Sequence, residues 1–166
     1  MSFTILKNCF WLMVPVILIN LLLMHRLPRR YQARVFDNIP KWVGAIENIL
    51  RIVVFLTPLL MPLEVADEAR GFGLLLYSTG LVFYFLSWVM QIGFPESHWS
   101  RSRIGFMAPA YTPLIWLAGI ALIGRSLFHS VPWSQWIYAG FAAGFLIAHN
   151  AHAWIAYSRA LRDSPS

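Results

Sequence analysis

Five long apolar segments, separated by short polar stretches, form the main pattern along this chain. Each segment approaches the roughly 20 residues that a helix needs to cross a bilayer. The pattern predicts an all-α, polytopic integral membrane protein in which residues 1–166 form a single transmembrane helical bundle of about five helices. The predicted spans are 10–24, 42–63, 71–94, 104–123 and 131–157.

The second predicted span carries charged residues within its membrane-length segment. Its apolar run after Arg51 covers about a dozen residues, so a span of roughly 20 residues must also include Glu47 and Asn48. Glu47 and Arg51 are four residues apart, which places them on one face of a helix and predicts an ion pair. Charged groups in hydrocarbon are costly unless they are paired or face protein. This helix is therefore expected to need helical partners.

The third predicted span has small and polar residues on one face, at alternating steps of four and three residues. In a membrane the small and polar face of a helix is the one that packs, because lipid is as apolar as leucine. We expect this seam to face the bundle, where it packs against a neighbouring helix or lines a ligand. The seam consists of Gly73, Tyr77, Gly80, Tyr84, Ser87 and Gln91.

The fifth predicted span combines a ridge of small residues with a polar group near its end. The ridge, Gly140, Gly144 and Ala148, is typical of close helix packing or of self-association. The polar group consists of His149, Asn150 and His152. Two histidines fall short of the protein ligands that zinc normally takes, so neither a metal nor another cofactor is expected.

Basic residues flank the spans unequally, and this predicts an orientation. Nine of them lie in the first loop, the third loop and the tail, against three at the other flanks. The positive-inside rule then places the N-terminus outside and the C-terminus in the cytoplasm, which agrees with an odd number of spans. The nine are Arg26, Arg29, Arg30, Arg34, Lys41, Arg101, Arg103, Arg159 and Arg162, and the three are Lys7, Arg70 and Arg125.

Composition narrows the class of protein further. The chain is 58% hydrophobic and 12% charged, which excludes an ordinary globular domain. Its net charge of +6 lies in loops beside a membrane, so membrane lipids are expected partners and nucleic acid is not. The single Cys9 excludes an intrachain disulfide and a cysteine-based metal cage. No Asn-x-Ser/Thr acceptor occurs, and we expect the protein in a bacterial inner (plasma) membrane.

Most tryptophans are also placed as in a membrane protein, because seven of the eight fall near predicted helix ends. An aromatic belt or helix packing would place them there, with an aromatic ligand cage as the alternative. The seven are Trp11, Trp42, Trp88, Trp99, Trp133, Trp136 and Trp154.

The predicted topology brings three polar sets into the cytoplasmic half of the membrane. Intramembrane polar clusters of this kind often mark functional sites, and an interhelical hydrogen-bond network is the alternative. The candidate ligand-binding residues are Glu47, Asn48, Arg51, Tyr84, Ser87, Gln91, His149, Asn150 and His152, with His98, Arg101 and Arg103 on the adjoining loop.

No motif of a known catalytic class is present, so no catalytic residue is assigned. We interpret the chain as a non-enzymatic membrane protein, either an accessory subunit that binds another membrane protein or a binder of a small lipid-like ligand. The alternatives are an intramembrane, methyltransferase-like enzyme acting on a lipid or prenyl substrate, with His98, His149 or His152 as general base, and an oligomeric channel or carrier.

Two families share features with the chain. Its length, five predicted spans and tryptophan content resemble those of the tryptophan-rich sensory (translocator) proteins. The stretch Pro109-Ala110-Tyr111 is similar to one in membrane methyltransferases of the isoprenylcysteine type. Those enzymes carry Arg-His before the proline, where this chain has Met107-Ala108. No residue role is carried over from either family.

Overall fold

The computed structural model describes residues 7–28, 39–63, 67–124 and 134–162, and this part of the chain is helical without a named strand. A single bridge pairs Asn8 with Pro62. The α-helices are α1 Met13–Leu23, α2 Lys41–Leu56, α3 Glu68–Gly93, α4 His98–Arg101, α5 Arg103–Tyr111, α6 Pro113–Ile123 and α7 Ser134–Arg162. Turns of 3₁₀ helix flank α1 at Cys9–Leu12 and Met24–Arg26 and extend α2 at Thr57–Leu60.

Four helices of the described part are long and apolar enough to cross a membrane: Cys9–Arg26, Lys41–Leu60, Glu68–Gly93 and Arg103–Ile123. They coincide with the first four predicted spans. The fifth predicted span corresponds to α7, which has 29 residues but is not among the four. Its polar histidines and asparagine lower the hydropathy of its central stretch.

Prolines shape the second and fourth of these helices. Pro58 lacks a backbone N–H, and from Thr57 the helix continues as a 3₁₀ turn before Met61 becomes extended. The fourth helix keeps Pro109 in its interior but is interrupted at Thr112, so that Pro113 begins α6.

The predicted seam of the third span is confirmed, because all six of its residues are buried. The seam packs α3 along α6. The two backbones approach closely: a Cβ atom on Gly80 would lie 2.4 Å from the backbone N of Trp116. Gly119 of α6 makes the reciprocal approach, 2.5 Å from the N of Tyr77. Glycine is required here because any side chain would push the helices apart.

The small-residue ridge of the fifth span behaves differently. A Cβ atom on Gly140 would meet nothing within 4 Å, and one on Gly144 would meet only Leu50 at ordinary contact distance. The face that α7 buries instead includes Tyr138, Phe145 and Leu146. Among the residues that the structure describes, the ridge is not a close-packing surface, and self-association through Gly140, Gly144 and Ala148 stays a prediction.

The helices run alternately up and down, which brings distant parts of the chain to the same end. The N–H of Cys9 donates to the carbonyl of Met61 at 2.8 Å, and Gly124 lies against the Met61 side chain. Towards the other end, Asn150 of α7 donates to the carbonyl of Ala110 at 3.1 Å. The polar residues of α2, α3 and α7 consequently lie in the same half of the bundle.

Candidate functional site

Glu47 is the central residue of the candidate site, and the periodicity of α2 explains its burial. The buried residues of this helix are Val43, Glu47 and Val54, which lie on one stripe. Because this stripe packs against the bundle, Glu47 is buried along with the two valines and is 2% exposed. A buried carboxylate is tolerable when charged or hydrogen-bonding partners surround it.

Three side chains surround the Glu47 carboxylate. Arg51, one turn along α2, hydrogen-bonds to Oε1, so the predicted ion pair is confirmed. Nδ1 of His149 lies 2.9 Å from the same oxygen, and Nδ1 of His152 contacts Oε2. Because an ionised carboxylate only accepts hydrogen bonds, both imidazoles donate through Nδ1. We call Glu47, Arg51, His149 and His152 the carboxylate cluster.

A cavity of about 230 Å³ lies beside the carboxylate cluster. All four members of the cluster line it, together with aromatic and apolar residues of α3, α5 and α7. Its remaining walls are formed by Asn20, Leu27, Tyr84, Trp88, Phe106, Pro109, Ala110 and Ala153.

A second cavity of about 370 Å³ adjoins the first and shares Asn20, Arg51, Tyr84 and His149 with it. The rest of its wall is apolar or aromatic and comes from α1, α2, α6 and α7. These residues are Val16, Ile17, Leu21, Met24, Phe55, Pro113, Trp116 and Phe145. The polar side chains that line the two cavities are concentrated where the cavities meet, and the remaining walls are apolar or aromatic.

Asn20 and Tyr84 hold α1 over this space. The Tyr84 hydroxyl donates to Oδ1 of Asn20 at 2.7 Å, and the Asn20 amide donates to the carbonyl of Val16 at 2.8 Å. Sequence reasoning found Tyr84 but not Asn20. Asn20 could have been identified because it is a single amide inside an otherwise apolar helix. Such a group in a membrane needs a hydrogen-bonding partner.

Trp88 is another residue that sequence reasoning missed as a wall of the site. It is 8% exposed and packs edge-on against Tyr84, with ring centroids 6.2 Å apart. Its position next to Ser87 in the sequence gave no indication that it faces a cavity. By contrast Trp11, Trp42 and Trp136 are exposed at helix ends, as an aromatic belt would place them.

The other candidate residues on the helices have separate roles. Asn48 is exposed, because the residue after Glu47 falls on another side of α2. Ser87 donates to the carbonyl of Tyr84 at 2.6 Å. Gln91 is fully buried and donates to the carbonyl of Gly105. Asn150 donates to backbone carbonyls rather than to the cluster.

The candidate residues of the loop lie outside the cluster. His98 is exposed, and Arg101 forms an exposed ion pair with Glu96. The guanidinium of Arg103 stacks over the ring of Trp154, 3.7 Å from its centroid. None of these side chains lines either cavity of the described part. Of the basic residues on which the orientation rests, Arg29, Arg30 and Arg34 of the first loop and Arg125 of the opposite side lie outside the described residues.

The cluster presents a hydrogen-bonding edge to the cavity. His149 uses Nδ1 for Glu47, so Nε2 on the opposite edge of its ring is its remaining polar atom. Stacking on Phe145, at 5.3 Å between centroids and 12° between planes, fixes the ring. A neutral imidazole that donates through Nδ1 accepts a hydrogen bond at Nε2. Among the residues that the structure describes, no group of three or more His, Cys, Asp and Glu could hold a metal ion.

Comparisons with protein-family models, with curated proteins and with solved structures give no match. The geometry of the two cavities and the chemistry of their walls are therefore the basis for a function.

Proposed function

We propose that the protein is an integral membrane protein that binds a small, largely apolar, lipid-like molecule in the cavities beside the carboxylate cluster. One observation carries the proposal: apolar and aromatic walls surround the space, while polar groups converge at one place. That combination is typical of small-molecule sites. An interhelical hydrogen-bond network alone would need no adjoining space.

Length and hydropathy support membrane insertion of four helices, and the length and polar contacts of α7 support its insertion as a fifth. Four helices of the described part meet both requirements. The 29 residues of α7 extend over about 43 Å at ~1.5 Å per residue, which exceeds the roughly 30 Å of a hydrocarbon core. Nδ1 of His149, Nδ1 of His152 and the side-chain amide of Asn150 all hydrogen-bond to protein groups. These hydrogen bonds lower the cost of placing α7 in a membrane.

The charge bias supports an orientation with the N-terminus outside. In this orientation the carboxylate cluster lies in the half of the membrane nearer the cytoplasm, on the side of Lys41 and Arg103. A lipid-like ligand would then enter from the inner leaflet of a plasma membrane.

A cavity-filling substitution tests the binding site. Ala153 lines the cavity of about 230 Å³, so Ala153→Phe should exclude the ligand. Ala151→Phe is the matched control, because Ala151 is exposed on the same helix. Native mass spectrometry after gentle extraction from the native membrane should show a small molecule retained by the wild type and by Ala151→Phe, and lost from Ala153→Phe. Equal adduct masses on all three proteins would contradict a site in this cavity.

A second candidate function is an intramembrane enzyme that acts on a lipid or prenyl substrate. The hydrogen bond between Glu47 and His149 favours it, because a carboxylate that orients an imidazole is how many active sites position a general base. A His149→Gln variant that still binds the ligand but changes the lipid composition of its membrane would support catalysis. If this variant changes neither the lipid composition nor ligand binding, catalysis is excluded and the binding function alone remains.

A further inference from the structure

We propose that two copies of this chain associate side by side in the membrane through an exposed face of α2, with the Asn48 side chains of the two copies hydrogen-bonded to each other. The face consists of Ala45, Asn48, Ile52 and Leu56, and we call it the Asn48 face. It is separate from the ligand cavities. The association depends on membrane insertion of α2, which is part of the proposed function, but not on ligand binding.

Asn48 is the residue of this face that requires a partner. It is exposed, and it makes no hydrogen bond with any residue that the structure describes. Lys41 begins α2, and Asn48 lies about 10 Å further along the helix axis at ~1.5 Å per residue. That distance places its amide within a hydrocarbon core of roughly 30 Å, where lipid offers it neither a donor nor an acceptor.

The other two asparagines of the long described helices have partners. Asn20 of α1 donates to the carbonyl of Val16 at 2.8 Å and accepts from the Tyr84 hydroxyl at 2.7 Å. Asn150 of α7 donates to carbonyls of α5 and of its own helix. Polar side chains in membrane helices almost always face protein, so the exposure of Asn48 indicates a protein surface outside the single chain.

The rest of the Asn48 face is suited to packing against another helix. Its four residues follow each other at steps of three, four and four, which keeps them on one side of α2. All four are exposed. Gly44, one turn before Asn48, is also open, because a Cβ atom there would meet nothing within 4 Å. Small residues such as Gly44 and Ala45 let a neighbouring backbone come close enough for a short asparagine side chain to reach across.

The electrostatic complementarity of the amide points to a second copy as the occupant. The N–H groups of an asparagine amide carry partial positive charge and its oxygen partial negative charge, so the group complements a copy of itself. Copies inserted in the same orientation present Asn48 at the same depth, and a twofold axis along the membrane normal brings the two side chains together. A single asparagine in an apolar helix seam also favours a dimer with fixed register.

Dilution of the full chain in liposomes tests the proposal, with energy transfer between donor- and acceptor-labelled copies as the measurement. We expect the wild type to dimerise and Asn48→Leu to weaken the dimer about tenfold, in keeping with the loss of an interhelical hydrogen bond. Asn48→Gln keeps the amide and should stay closer to the wild type. Melting in excess detergent, which separates the copies, should be unchanged by Asn48→Leu and shows that this variant folds.

Gly140→Leu is the matched control on the rival surface, the small-residue ridge of α7. A Cβ atom on Gly140 also meets nothing within 4 Å, so the substitution alters an open face without changing the packing of the chain. We expect it to leave the dimer unchanged.

Disulfide cross-linking in membranes locates the interface with Asn48 intact. In a Cys9→Ala background, Ile52→Cys should form a cross-linked dimer under mild oxidation, because Ile52 is one turn from Asn48 on the same face. Ile46→Cys should not, since Ile46 is also exposed but lies on another side of α2.

Four results would overturn the proposal: a monomeric wild type, equal dimerisation of wild type and Asn48→Leu, dissociation by Gly140→Leu alone, or cross-linking of Ile46→Cys as efficient as that of Ile52→Cys. A different membrane protein that co-purifies with the wild type and is lost from Asn48→Leu would also overturn it, because that protein would then occupy the face. Asn48 lines neither described cavity. Asn48→Leu should therefore retain the small ligand as the wild type does, and failure of the dimer would leave the binding function intact.

Discussion

Nδ1 of His149 lies 2.9 Å from Oε1 of Glu47, which joins an imidazole of α7 to a carboxylate of α2 across 102 residues of sequence. With Arg51 and His152, this hydrogen bond completes the partners of a carboxylate that is 2% exposed. The same hydrogen bond holds α2 against α7 and orients two side chains that line the cavity. Changes at Glu47 should consequently affect both stability and binding.

Removing the carboxylate should strongly destabilise the bundle. Glu47→Ala takes away the acceptor of Arg51, His149 and His152, and breaking a buried pair in this way costs about 3–5 kcal/mol. Arg51→Ala should cost less, because that side chain is 45% exposed. Melting in detergent measures both effects.

A double substitution, Glu47→Leu with Arg51→Leu, should melt closer to the wild type than Glu47→Ala, because it strands no charge. Asn48→Ala, exposed on the same helix, should stay within about 0.5 kcal/mol of the wild type. A normal melting temperature for Glu47→Ala would show that the carboxylate is solvated.

Widening the contact between α3 and α6 should also destabilise the protein. A Cβ atom on Gly80 would lie 2.4 Å from the backbone N of Trp116, so Gly80→Ala should cost about 1–3 kcal/mol by overpacking. Gly71→Ala on the same helix is the control, since a Cβ atom there meets nothing within 4 Å. Equal melting temperatures for the two variants would contradict the close approach of the helices.

The hydrogen bond between Tyr84 and Asn20 should contribute about 1 kcal/mol. A double-mutant cycle of Tyr84→Phe and Asn20→Leu, followed by thermal melting, should show a coupling energy of that size. Additive effects would mean that the bond at 2.7 Å does not hold α1 against α3. The same cycle read out by ligand binding would show whether α1 closes the second cavity.

Cysteine labelling tests the proposed orientation. In a Cys9→Ala background, a membrane-impermeant maleimide should label Asp67→Cys in intact cells and His98→Cys only after permeabilisation. Both positions are exposed, at opposite ends of α3 and the turn that follows it. Labelling in the reverse order would contradict the N-outside orientation. Labelling of both in intact cells would contradict a membrane span between them.

Local spacing predicted much of the structure. The four-residue separation of Glu47 and Arg51 gave their ion pair, and the alternation along the third span gave its buried seam. Both features depend on helical periodicity alone. The number of spans predicted that the polar residues of α2 and α7 lie in the same half of the bundle. The contacts of Glu47 with His149 and His152 agree with that prediction.

Partners that are distant in sequence were harder to predict. The carbonyl of Gly105 that binds Gln91 is a backbone group, and no residue type marks it. Asn20 gave a signal but no indication that Tyr84 was its partner. Asn48 was predicted in the site because it is next to Glu47 in the sequence. Adjacent residues of a helix point about 100° apart, since a turn has 3.6 residues, and Asn48 is therefore exposed.

The separation of 102 residues between Glu47 and His149 has a consequence for biosynthesis. At ~5–20 residues per second, a ribosome needs about 5–20 s to synthesise the intervening chain. During that interval Arg51 is the partner that Glu47 can reach within its own helix. The nascent bundle is thus held in an unfinished state until its last helix emerges, and a truncated chain without α7 would expose that unfinished state to proteolytic quality control.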